Sequence, residues 1–183
     1  MNMIRPSTTI NLQRREISSG RVDRQLISPK NRSKRRGLWR SLNKMAFRSH
    51  LKIRFGDIDR AGIVYYPRFL HYFHVALEEF FTRDLKIDYH TVIDQYRLGF
   101  PVVHLETNFS RPFTYGDQID VEVKVMNIGH TSITFGYRVF RKGDDKPRII
   151  GHNVTVCMDM DTYKKKSIPD WLRQRLASSL SKT

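Results

Sequence analysis

Between Pro67 and Leu85 the chain carries Phe69, Leu70, Tyr72, Phe73, Val75, Ala76, Leu77, Phe80 and Phe81, which at helical spacing cover most of a helix's circumference. This run constrains the fold more than any other stretch. A helix apolar almost all round is either buried within a protein or crosses a membrane. Arg68, His71, His74, Glu78, Glu79 and Arg83 interrupt the run well short of a spanning length, so it reads as a buried central helix. Pro67 suits its start, because proline lacks an N–H that would have had no intrahelical partner there and its φ is already set.

Immediately upstream lies a loop with two carboxylates, Asp57 and Asp59, punctuated by Gly56 and Gly62 and leading into Tyr65 and Tyr66. The first N–H groups of a helix are unpaired and carry partial positive charge, so they polarise a carbonyl or hold an oxyanion. A carboxylate a few residues away attacks that carbonyl or activates a water. The series Phe55, Gly56, Asp57, Asp59, Gly62, Val64, Tyr65, Tyr66, Pro67 follows the pattern F-G-D-x-D-x-x-G-x-V-[YW]-[YF]-P without a gap. It resembles the signature of the hotdog-fold acyl-CoA thioesterases of the 4-hydroxybenzoyl-CoA thioesterase type, and the resemblance runs in element order from about Leu51 to about Pro169.

The rest of the chain reads as strands. A first strand covers Phe47–Phe55, with Leu51, Ile53 and Phe55 alternating against polar neighbours. After the central helix, residues 90–98 read as a short helix closed by Gly99. Four strand-like runs follow: Pro101–Arg111, Gln118–Ile128, Thr131–Arg141 and Arg148–Met160, separated by turns such as Tyr115-Gly116-Asp117 and Gly143-Asp144-Asp145. Alternation with short turns points to an antiparallel meander, and Asp170–Leu180 to a C-terminal helix. The fold class is therefore α+β, a curved antiparallel sheet around a long central helix, which is also the hotdog fold that the resemblance implies.

Several groups have competing readings. Asp57 is expected to fix the loop and Asp59 to carry the chemistry, as nucleophile or general base; the resemblance implies the same division. Glu78 and Glu79 are the rival carboxylates, since other hotdog thioesterases use a helix glutamate. His71 and His74 lack a partner at ligand spacing and read as structural, so no metal and no cofactor is expected. The chain holds no G-x-S-x-G elbow for a serine nucleophile. No secretory apolar region or spanning run is visible, so cytoplasmic is the expected location, and the single Cys157, which reads as a small apolar strand residue, fits a reducing compartment.

The formal net charge of +15 invites a nucleic-acid reading, but ten of those charges come from residues 1–46, with twelve Lys or Arg against Glu16 and Asp23. That segment, rich in Arg and Ser and without hydrophobic periodicity, reads as a disordered extension ahead of a domain at 47–183. It is open to three readings: a basic arm, an organellar presequence, or residues preceding a natural start at Met45. The body lacks the interleaved aromatic and basic residues of RNA modules, and no spanning segment is visible, so neither nucleic acid nor membrane is an expected partner.

What the resemblance implies is an acyl-CoA thioesterase. Asp59 would act on the thioester, and the Tyr66 N–H would stabilise the oxyanion. Gly62, Val64, Tyr65 and Pro67 would shape the loop around the substrate, and Pro101, Val102, Val103 and His104 would border the acyl pocket. Arg111, Lys164, Lys165 and Lys166 are the basic residues expected to meet the CoA phosphates, the alternative being a solvated basic loop. A homodimer or homotetramer with the pocket at the interface is implied as well. Around Asn127–Ser132 the Trp and Arg run associated with the 4-hydroxybenzoyl enzyme is missing, which leaves aromatic and short or medium aliphatic acyl groups open. A non-catalytic acyl-binding or scaffold protein on the same fold is the alternative.

Overall fold

The computed structural model describes residues 46–180; the N-terminal extension and its three readings lie outside them. Strand β1 (Phe47–Lys52) leads through a 3-10 turn (Phe55–Asp57) to the central helix α1 (Arg68–Arg83). Helix α2 (Tyr89–Asp94) and the short strand β2 (Leu98–Gly99) follow. Then come β3 (Val102–Phe109), β4 (Gln118–Ile128), β5 (Ser132–Arg141), β6 (Ile149–Val156), β7 (Met158–Asp159) and helix α3 (Asp170–Leu180).

The main sheet has the order β1-β4-β5-β6-β3, antiparallel throughout. The meander reading holds for β4, β5 and β6 only. Strand β3, next to β4 in sequence, crosses to the far edge and pairs with β6. On β4 the β-branched residues Ile119, Val121, Val123 and Val125 are buried on the helix side. The alternate residues face outward, where Arg48 and Arg138 flank the buried Glu122 carboxylate.

Helix α1 buries Phe69, Tyr72, Phe73, Ala76, Leu77, Phe80 and Phe81, a single stripe of i, i+3, i+4 spacing. Phe73 stacks on Tyr137 of β5, with ring centroids 4.4 Å apart and 15° between planes. Burial all round was expected; instead Leu70, His71, His74 and Glu78 face outward, because the sheet wraps one side of the helix. Helix α3 closes the far end of the core with buried Leu172 and Leu176, and Arg175 donates to the Leu85 carbonyl at 2.7 Å.

Two boundaries differ from the sequence reading. Strand β1 stops at Lys52, and Phe55 is 81% exposed in the turn against Tyr115 instead of alternating into the core. The short helix ends at Asp94, and Arg97 takes a left-handed φ of 52°. Leu98 and Gly99 then pair with Asp159 and Met158, so Gly99 serves a strand and not a helix cap.

Candidate active site

The loop before α1 is a miniature hairpin. Ile58 bridges Val64, the Asp59 N–H donates to the Ile63 carbonyl at 2.9 Å, and the Tyr65 N–H donates to the Asp57 carbonyl at 2.9 Å. Gly62 supplies the left-handed turn residue at φ 77°, a conformation that costs a side-chain-bearing residue free energy. The Val64 N–H donates to the Phe113 carbonyl at 2.9 Å, tying the hairpin to the connection between β3 and β4, and upstream of it the Ile53 N–H donates to the Asp117 carbonyl at 2.9 Å.

The two carboxylates in it are held differently. Asp57 accepts the Arg54 N–H at 2.8 Å and lies 3.6 Å from the Arg68 guanidinium, which itself donates to the Gly56 carbonyl. Burial, with the Asp57 carboxylate beside it, pushes the Tyr72 phenol well above its ordinary value. Asp57 is thus built into the scaffold. Asp59 uses one oxygen, Oδ1, to accept the Ala61 N–H at 2.8 Å, and Oδ2 takes no hydrogen bond from any described residue.

At the helix start, Arg68, Phe69 and Leu70 donate to Tyr65, Tyr66 and Pro67 in tight i to i−3 bonds. Pro67 has no N–H to offer. That leaves the Tyr66 N–H, which donates to no acceptor among the described residues. A free carboxylate oxygen and a free main-chain donor thus flank one small hairpin.

Helix α1, the edge strand β3 and the neighbouring strands enclose a groove of about 180 Å³. Leu70, Phe73 and Leu77 line it from the helix, and Val102, Leu105 and Asn153 from the strands. Sequence reading missed most of these. Leu70, Phe73, His74 and Leu77 are marked by helical spacing, but Asn153 and Tyr137 come from strands that only the fold brings alongside. The Asn153 Nδ2 donates to the Tyr137 hydroxyl at 3.4 Å, and the buried Asn153 Oδ1 has no partner. A larger open depression, about 380 Å³, lies against the C-terminal half of α1 between Glu78 and Asp94, away from the Asp59 hairpin.

The other sequence-predicted residues are scattered. Val103 occupies a register shift between Val102 and His104 and is 59% exposed. His104 does not border the groove: Leu105 and Thr107 face the helix, so His104 and Glu106 take the opposite face of the sheet. Arg111 sits at the Asp59 end of the sheet, with its guanidinium 3.2 Å from Asp144. Lys164, Lys165 and Lys166 lie at the other end, where the Lys166 N–H donates to the Cys157 carbonyl just past β6. Lys166 also pairs with Asp159 at 3.2 Å; hydrogen bonds from Thr162, together with Lys166, hold the Asp159 carboxyl down at about 2.

The rival helix carboxylates are both paired, Glu78 with His74 at 3.1 Å and Glu79 with Arg83 at 3.2 Å. Cys157 is buried, and burial pushes its thiol up, away from nucleophilic character. Among the described residues no helix is long and apolar enough to cross a membrane.

A curved antiparallel sheet packed on one long helix, with the carboxylate hairpin at that helix's start, defines the hotdog class. Residues 53–176 match the family model of the Thioesterase-like superfamily, and the chain belongs to that superfamily. A 1,4-dihydroxy-2-naphthoyl-CoA hydrolase of Synechococcus elongatus is 29% identical over 126 residues, 66% of this chain and 90% of the relative. The crystal structure of a 1,4-dihydroxy-2-naphthoyl-CoA thioesterase from Synechocystis superposes with a TM-score of 0.66 at 20% identity, covering 73% of this chain and 96% of that one. A gentisyl-coenzyme A thioesterase superposes with a TM-score of 0.64 at 25% identity, covering 71% and 99%.

Proposed function

We propose that this chain hydrolyses an aryl-CoA thioester to the free acid and CoA, and that residues 47–183 carry the activity. The observation that carries the reading is the pairing of an unengaged Asp59 carboxylate oxygen with an unengaged Tyr66 N–H on one hairpin. Either Asp59 adds to the thioester carbonyl, the CoA thiolate leaves and water hydrolyses the resulting acyl-aspartyl anhydride to the acid, or Asp59 takes a proton from a water that attacks the carbonyl directly. The Tyr66 N–H receives the developing oxyanion. The thiolate of CoA leaves without a proton donor, because a thiol with a pKa of about 8.5 is a good leaving group at neutral pH.

The substrate class rests on the groove. Phe73, Tyr89, Phe100 and Tyr137 give it aromatic walls, which suit a flat ring, and the unpaired Asn153 Oδ1 suits a ring hydroxyl. The relatives named for hydroxylated aromatic acyl-CoAs support the same class. A thiol-release screen over 4-hydroxybenzoyl-, gentisyl-, dihydroxynaphthoyl- and hexanoyl-CoA tests it. Preference for the hydroxylated rings supports the reading, and preference for the aliphatic thioester overturns it.

The working form is a homodimer joined through β3. Strand β1, the other sheet edge, carries Arg48, His50 and Lys52, which blunt strand addition, whereas β3 exposes Val102, Val103, Leu105 and Phe109. Antiparallel pairing of two β3 strands about a two-fold axis sets the far end of one sheet beside the Asp59 end of the other. The partner's lysine run then reaches the CoA phosphates that a single chain's Lys164–Lys166 do not. Substituting Leu105→Lys yields monomers by light scattering and lowers turnover; a monomeric parent protein at working concentration would remove this part of the proposal.

A further inference from the structure

On the sheet face turned away from the groove, three potential ligands converge. Glu106 of β3 stands opposite His152 of β6 in register, and His104 lies two residues earlier on the same face. One ligating atom from each of the three lies within 4.8 Å of the others. Donors around a tetrahedral ion with bonds of about 2.0–2.1 Å sit roughly 3.4 Å apart, so small side-chain rotations complete the geometry. The His104 Nε2 is buried and makes no hydrogen bond, a costly state for a ring nitrogen that a bound cation would relieve. The two imidazoles are 5.6 Å apart and inclined by 44°, which suits a shared ion better than a stacking contact. Asn108 Nδ2 reaches Glu106 Oε1 at 3.5 Å, a partner able to orient the carboxylate.

We propose that His104, Glu106 and His152 bind one divalent transition-metal ion, tying the edge strand β3 to β6. Two imidazoles and one carboxylate favour zinc, cobalt, nickel or copper over magnesium or calcium. The cluster lies on the sheet face opposite the groove, so the site is independent of the hydrolytic reading and fastens the strand instead of touching the thioester.

The test uses the full chain without a polyhistidine tag, freed of metal and titrated with Co²⁺, then competed with Zn²⁺. The parent is expected to bind one Co²⁺ per chain with the intense visible bands of a low-coordinate site, and Zn²⁺ to displace it and raise the melting temperature. His104→Gln and His152→Gln should each weaken Zn²⁺ binding by about 100-fold or more, and Glu106→Gln by about tenfold. The glutamines keep size and polarity, and matching metal-free melting curves show that the variants are folded. His71→Ala and His74→Ala, on α1, should leave Zn²⁺ affinity unchanged. Zn²⁺ affinity that stays within a few-fold of the parent's in the folded His104→Gln, His152→Gln double variant would overturn the site, as would loss of binding on removing His71 or His74.

Discussion

The Asp57 carbonyl accepts the Tyr65 N–H at 2.9 Å, so the hairpin bearing Asp59 closes one residue before the free Tyr66 donor. The Tyr66 donor belongs to the main chain, and the Asp59 side chain is oriented by the main-chain N–H of Ala61 at 2.8 Å. A hairpin of this kind fixes both groups before any substrate arrives, the condition under which electrostatic stabilisation is most effective.

Asp57 holds that hairpin in place through the Arg54 N–H and the neighbouring Arg68. Asp57→Ala should lower stability by about 1–2 kcal/mol, the usual cost of losing a capping carboxylate, and lower turnover with it. Asp57→Asn should retain much of the stability, since an amide oxygen still accepts the Arg54 N–H. Thermal melting of the two variants beside the parent checks the order.

Gly151 lets α1 lie directly on the sheet. A Cβ there would meet Thr107 Oγ1 at 3.0 Å, the Glu106 carbonyl at 3.1 Å and the Phe73 ring at 3.3 Å. Two of these contacts belong to the sheet and one to the helix, so neither side yields freely. Gly151→Ala should cost about 1–3 kcal/mol through overpacking, read as a lower urea midpoint.

Alkaline pH should unfold the protein through its buried phenols. Burial first, then the Glu78 carboxylate, pushes Tyr89 up to about 12, and burial raises Tyr72 and Tyr137 in the same direction. In the unfolded chain these phenols titrate near about 10. Their contribution is complete below that pH and is lost as pH rises toward the folded value, because the unfolded state releases its protons first. Tyr89→Phe should make the fall in urea midpoint between those two values less steep.

Much of this was legible in local sequence. The bounds of β4 and α3 follow from alternation and amphipathic spacing, and the pattern from Phe55 to Pro67 locates the hairpin and the helix start. What was not legible is non-local. Nothing in residues 101–128 says that β3 pairs with β6 and not with β4, because a strand's partner depends on the closure of the whole sheet. Once β3 moved to the edge, the one-residue shift at Val103 decided which side chains reach the groove: His104 turned to the outer face and Leu105 inward. The meeting of His104 with His152 is invisible for the same reason. Phe55 went astray differently, since a 3-10 turn breaks the alternation just where the motif begins.

The most direct test is thiol release from a hydroxylated aryl-CoA by the parent, Asp59→Asn, Glu78→Gln and Glu79→Gln. An amide nearly matches a carboxylate in shape but neither attacks nor takes a proton. Asp59→Asn should fold, bind the thioester about as well as the parent and turn over roughly 100- to 10,000-fold more slowly, a loss of about 3–5 kcal/mol. The two glutamine variants should keep most of the activity, since both glutamates are paired on the helix surface. Near-parental turnover by Asp59→Asn would contradict the assignment, and loss in a glutamate variant at the same time would move the chemistry to the helix.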